Sequence, residues 1–176
     1  MFIGIKDTKI IAIHEVEWSC RRQAKKVDLD EYWTWLESVT TVTGTPPDEV
    51  KTVDFSGEDY EIHEVDVDVV SLTQSGHIVS DFDGTHYHLK WDASKKEIVK
   101  DDTAKAAWEL AEEWKQIRAE RTRLLAETDW VVIKARENGG TVPAAWKTYR
   151  VALRDIPSEQ SDATKYSEIT WPTKPS

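Results

Sequence analysis

The residues best suited to chemistry crowd into one stretch, His77 to Trp91, HIVSDFDGTHYHLKW. Asp81 and Asp83 set two carboxylates two positions apart, and His86 and His88 repeat that spacing with imidazoles. Alternate positions of a strand share a face, so the two histidines could ligate one metal ion. The sequence identifies no third ligand, and two histidines alone read as a polar strand face, so no metal is expected. Glu64, Asp66 and Asp68 share a strand face in the same way and would suit Ca²⁺ only if loop oxygens joined them. The chain has no P-loop, no GxSxG and no HExxH, and spacing yields no Ser/His/Asp set. Cys20 is the only cysteine, so neither an internal disulfide nor a cysteine-based zinc site can be completed, and it reads as a small buried hydrophobe.

Asp81-Phe82-Asp83-Gly84-Thr85 matches the DxDGT signature of the haloacid-dehalogenase phosphatases. That resemblance implies Asp81 as nucleophile and Asp83 as acid/base, in a metal-dependent reaction. In that family the motif ends the first strand of a large parallel sheet. Here only residues 86–176 follow, mostly helix and tail in pattern, without the strands that would place a Ser/Thr, a Lys and a late acidic pair. Asp83-Gly84 is also a strong hairpin signal, so Ile78 to Phe82 and Thr85 to Trp91 are expected as two strands joined there. The leading expectation is a protein that is not an enzyme, with no catalytic residue and no cofactor; the small phosphatase is the alternative.

The surrounding elements divide by pattern and by charge. Residues 1–100 hold 20 acids and 11 bases, whereas residues 101–176 hold 13 and 12. A boundary is placed near Lys100, giving a 1–100 partner-binding α+β unit and a 101–176 helical region. In the first part KIIAIHEVEW and EIHEVDVDVVSL carry strand-like alternation, and DLDEYWTWLESV reads as a short helix entered through Asp28 or Asp30. Between them TGTPPDEV is a Gly/Pro loop, and Asp48 to Asp68 carries nine acids against Lys51 alone, a solvated face. The net charge of −10 argues against a phosphate-tracking surface, so nucleic acid is not an expected partner. No run of about 18 apolar residues exists, so no membrane span is expected, and the charged opening segment does not read as a secretory signal.

From Asp101 the period becomes helical. Asp101, Asp102 or Thr103 can cap a helix reaching about Glu127, and Ala107, Leu110, Trp114, Ile117, Arg121 and Leu124 follow the a/d rhythm of a coiled-coil seam, interrupted by Arg121. The seam could pack on its own domain or on a second copy of the chain. ARENGGTVP is a loop; a second helix starts at Pro143, carries Trp146, Tyr149 or Arg150, and Leu153 on one stripe, and is expected to end near Arg154 because Ile156 precedes a proline. The fold class expected is therefore α+β: a small β-rich N-terminal unit, then a long helix and a helical hairpin with an extended, proline-bearing C-terminal tail.

Three motifs in this half, IRAERTRLLAETDWVV, AAWKTYRVALRDIP and ITWPTKP, occur in that order with short spacers. Together they resemble the C-terminal region of the phage tail assembly chaperone family, over about residues 117–175. The family-like positions are Arg118, Arg121, Leu124, Leu125, Thr128, Asp129 and Trp130, then Trp146, Tyr149, Arg150, Leu153 to Pro157, then Ile169, Trp171 and Pro172. Residues 1–85 resemble no family. The resemblance implies a bacteriophage protein of tail or tail-fibre assembly, either an assembly chaperone or a structural fibre or baseplate subunit. Its partners would be other tail, fibre or baseplate proteins, or copies of itself, with a trimer suggested by fibres; its place would be the host cytoplasm during assembly or the virion tail.

Physically, Leu124, Leu125 and Trp130 can pack against the Trp146/Tyr149/Leu153 stripe while Trp171 closes the open end of the helical hairpin. Arg118, Arg121, Arg150 and Arg154 are expected to crowd near Asp129 and Asp155. The candidate interface is thus Ala107, Leu110, Trp114, Ile117, Arg121, Leu124, Trp130, Trp146, Tyr149, Arg150, Arg154 and Trp171.

Overall fold

Ile10 and Ile13 are three positions apart, a spacing that would put them on opposite faces of a regular strand. They nevertheless share one face with Ile3 and Ile5. The reason is a bulge: the register slips between Gly4 and Ile5, with Ile5 opposite Ile10 and Gly4 opposite Ala12, so that Ile11 is the extra residue. The structure, a computed structural model, describes residues 1–175.

The hairpin consists of β1 (Phe2–Lys6) and β2 (Lys9–His14), turning at Asp7 and Thr8, both at positive φ. Then come α1 (Glu17–Lys25), α2 (Leu29–Ser38) and a hairpin of β3 (Thr40–Thr43) and β4 (Val50–Val53). After β5 (Glu61–Glu64) and the short α3 (Val69–Gln74) come two more hairpins, β6 (Ile78–Asp81) with β7 (Gly84–Tyr87), and β8 (Leu89–Asp92) with β9 (Glu97–Lys100). The main sheet has the order β5-β1-β2-β8-β9, with antiparallel pairs throughout.

One face of this sheet packs with Leu72 of α3, Ile78 and Leu89. On the other, Ala12 meets Cys20 and Ala24 of α1. Gly4 marks the closest approach, since a Cβ there would stand 3.0 Å from the Ala24 Cβ and 3.2 Å from that of Ala12. Burial pushes the Cys20 thiol up to about 11.

The remainder is helical: α4 (Asp102–Ala126), α5 (Asp129–Glu137) and α6 (Ala144–Glu159), followed by a 3₁₀ turn at Tyr166–Glu168 and an extended tail. The architecture is α+β, with the β-rich part first. Contacts group the chain into two compact units, Met1–Lys105 and a second beginning at Ala106.

Several local signals act as their chemistry dictates. Asp28 and Glu31 form a capping box at α2, and the Asp101 carboxylate accepts from the Ala104 N–H at 3.1 Å to cap α4. The same carboxylate takes a 2.9 Å ion pair from Lys90, which together with the cap holds Asp101 below the usual carboxylate range.

Other expectations need correction. Thr85 to Trp91 is not one strand: His88 interrupts it, donating to the His77 carbonyl and accepting from the Asp101 N–H, so β7 stays with β6 while β8 joins the main sheet. The hairpin turn is Phe82-Asp83, with Gly84 pairing Asp81 at a φ of 123°. EIHEVDVDVVSL is split into β5, a connector and α3, because Asp68 leaves the strand to cap Ser71. The strand reading of KIIAIHEVEW ends at His14, and α1 begins at Glu17. Downstream, α5 occupies part of the expected loop, so three helices replace the simple hairpin. Finally, α6 runs through Pro157 to Glu159, because Leu153 and Ile156 are fully buried and anchor the last turn despite the missing N–H.

Candidate partner-docking surface

The second half of α4 and one stripe of α6 supply the apolar groups of the second unit. Ile117, Leu153, Ile156 and Tyr149 are buried together, with Trp114, Leu124, Leu125, Trp146 and Trp171 packed around them. Spacing accounts for this, since Trp114, Ile117, Arg121 and Leu124 lie along one face of α4, and Trp146, Tyr149, Leu153 and Ile156 along one face of α6. Trp146 meets Tyr149 edge-on at 6.2 Å and Trp130 at 6.3 Å.

The tail is tied back onto these helices. Gln160 exchanges two hydrogen bonds with the backbone of Thr170, at 2.8 and 3.1 Å, and Glu113 accepts from the Tyr166 N–H at 2.6 Å. The Trp171 ring lies 5.7 Å from that of Tyr166, tilted, and packs against the helical cluster.

At the α4–α5 junction Thr128 is fully buried. Arg150 donates to its Oγ1 and, at 2.8 Å, to the Leu125 carbonyl, while its other amine pairs with Asp129 at 2.7 Å. The expected crowd of four arginines reduces to this one. Among the described residues Arg118, Arg121 and Arg154 make no ion pair with Asp129 or Asp155; Arg118 lies over the Trp114 ring instead.

The proposed seam divides. Ile117 is buried and Trp114, Arg121 and Leu124 are half-buried within their own unit, whereas Ala107 and Leu110 are exposed. Trp130 and its neighbour Ile133 are 54% and 55% exposed, and Arg154 is also on the surface. Reading by motif missed Ile133, Arg136 and Lys147, whose positions on α5 and α6 become meaningful only once α5 is recognised as a helix.

In the other unit, the DFDGT pentapeptide lies on the β6–β7 hairpin, a separate antiparallel two-stranded sheet, with Phe82 fully exposed. The Asp81 carboxylate accepts from the Asp83 N–H and pairs with His86 at 3.1 Å. His86 and His88 are separated by the break between β7 and β8 and Glu64, Asp66 and Asp68 by the end of β5, and no cluster of three or more acidic, histidine or cysteine side chains that could hold a metal occurs among the described residues. Around α1 and α2, Trp18, Tyr32, Trp33, Trp35 and Phe55 form a chain of ring contacts, of which Trp18 and Trp33 reach the surface.

A family comparison places the C-terminal cluster. The family described as phage tail assembly chaperone protein matches residues 114–176. The C-terminal region matches the phage tail assembly chaperone family. Its first matched residue, Trp114, is also the first α4 side chain packed on the α6 cluster, so the match and the closed helical core begin together. No curated protein and no solved structure matches the chain. The chaperone-family match supports a role in phage tail assembly, with other phage tail proteins as partners, and it suggests a role without catalysis. Among the described residues no helix is long and apolar enough to cross a membrane.

Proposed function

We propose that this protein acts in bacteriophage tail or tail-fibre assembly by binding other tail, fibre or baseplate proteins, with the C-terminal helices as the docking module and the N-terminal unit as a second, partner-specific surface. The observation that carries the reading is the coincidence of the family-like positions with the interior of one closed helical cluster: Leu124, Tyr149, Arg150, Leu153, Ile156 and Trp171 all serve its packing or its junction. A module whose motif residues build a scaffold presents its remaining surface to a partner, and exposed Trp130, Ile133 and Arg154 are available for that. On the N-terminal unit, exposed Trp18, Leu29 and Trp33 supply the corresponding apolar patch.

The protein works in the host cytoplasm during assembly, and the choice between a transient chaperone and a virion subunit of fibre or baseplate is a matter of whether it is retained. Quantitative mass spectrometry of purified virions decides it. A fixed small-integer ratio to the tail subunits identifies a structural component; absence from virions with recovery on fibre protein in infected-cell lysate identifies a chaperone. Recovery with no tail protein in either preparation would overturn the proposal. A homo-oligomer, with the trimer suggested by fibres, would have Ala107 and Leu110 as its free seam positions, and sedimentation at micromolar concentration reports it.

The phosphatase reading rests on DFDGT alone. Hydrolysis of an aryl phosphate with Mg²⁺, abolished by Asp81→Asn, would establish it; no turnover is expected, because the antiparallel hairpin lacks the parallel-sheet setting of that chemistry.

A further inference from the structure

Between α5 and α6 runs a groove of about 740 Å³, floored by the Gly140–Ala144 turn. Val132 and Arg136 line it from α5, Lys147, Val151 and Arg154 from α6, and Val142 from the connecting turn. Lys147, Val151 and Arg154 are spaced four and three apart, a stripe of α6 distinct from the buried Tyr149/Leu153/Ile156 face. No aspartate or glutamate lines the groove. Arg136, Lys147 and Arg154 are exposed and make no ion pair among the described residues, whereas Arg150, at the groove wall, is engaged by Asp129.

From this arrangement we infer that the groove binds a segment of a partner protein in which carboxylates alternate with aliphatic side chains. The inference rests on the reading of the C-terminal helices as a protein-docking module and names the chemistry of what docks. Three unpaired cations on a chain of net charge −10 are a local reversal of sign. Arg136 and Arg154 can each take a carboxylate in a two-point hydrogen bond. Lys147 and Arg154 are two helical turns apart, about 10 Å, close to the about 9 Å between side chains three residues apart on one face of a polyproline II segment. Val132, Val142 and Val151 give the aliphatic side chains apolar surface between the charges, and this favours a peptide over a nucleic acid.

The test uses the full-length ¹⁵N-labelled chain and a short synthetic peptide repeating Glu-Leu-Ser, titrated to about 1 mM, a concentration that reveals even millimolar affinity by amide shifts. Shifts confined to the α5 and α6 walls and their turn are expected, with affinity falling at least about tenfold in an R136E/K147E/R154E variant. The three positions are exposed, so the variant should retain the native amide spectrum; if it does not, R154E alone serves, with an expected loss of about threefold. Peptides with Lys for Glu, or Ser for Leu, should bind more weakly. No shifts at the highest concentration, equal binding of those two peptides, or equal binding of a single-stranded oligonucleotide would each overturn the inference. Such a failure would leave recovery with tail proteins untouched, and so stays distinct from failure of the assembly role.

Discussion

Arg150 of α6 and Thr128 at the α4–α5 junction are joined by a 2.5 Å hydrogen bond, Nη1 to Oγ1, across 22 residues of sequence. The same nitrogen reaches the Leu125 carbonyl, so one guanidinium satisfies a buried hydroxyl and a C-terminal helix carbonyl at once. This contact fixes where the long helix stops and α5 begins.

Arg150→Ala should therefore lower the stability of the helical unit by about 2 kcal/mol, the scale of hydrogen bonds to a charged donor with a buried partner. Arg150→Lys should recover less than half of that, because a single ammonium cannot reproduce the fork. Asp129→Asn should cost under about 1 kcal/mol, since Asp129 is largely exposed. Urea unfolding followed by tryptophan fluorescence checks the order; an Asp129→Asn effect as large as that of Arg150→Ala would mean that the ion pair, not the junction, is what matters.

The division of the α4 seam is testable with two leucines. Leu153→Ala, at a fully buried site, should cost about 2–5 kcal/mol. Leu110→Ala, at a position 40% exposed, should fall within about 0.5 kcal/mol. Comparable losses in thermal melts would show that Leu110 is covered in solution by a second chain.

Asp101 is held below the usual carboxylate range by Lys90 and by the Ala104 N–H. Its stabilisation is then present above the unfolded-state value near pH 4 and lost as pH falls through the lower folded-state value. Asp101→Asn keeps the helix cap but not the charge. It should be less stable than wild type at pH 7, with the gap closing as pH falls through the lowered folded-state value. Denaturation midpoints across that range report this, and a gap independent of pH would rule out the charge as its source.

Cys20 should be inert in the folded protein. Its buried thiol is pushed up to about 11, so little thiolate exists at pH 8 and access is closed as well. A colorimetric disulfide reagent should react with it only on the timescale of unfolding, and at once in denaturant; immediate reaction of native protein would show that α1 opens readily from the sheet.

Local chemistry determined part of this protein from the sequence alone. Short polar side chains favour helix entries, which narrowed the caps to Asp28 or Asp30 and to Asp101, Asp102 or Thr103, and Asp28 and Asp101 are the ones that fill them. The change of period near Asp101, the α+β class and the three ordered C-terminal motifs are likewise properties of neighbouring residues. Tertiary structure decided whatever depended on competition between distant partners. His88 breaks a strand-like run because the His77 and Asp101 backbones take its hydrogen bonds. The Ala107 to Leu124 rhythm reads the same along its length, yet only the stretch from Trp114 onward has α6 to cover it. α6 outlasts Pro157 because burying Ile156 outweighs one missing N–H, and Arg136, Lys147 and Arg154 line one groove only because α5, a short helix that runs into the expected loop, lies beside α6. Spacing along a chain sets which side chains share a face; which face is covered, and by what, is set by the packing of the whole.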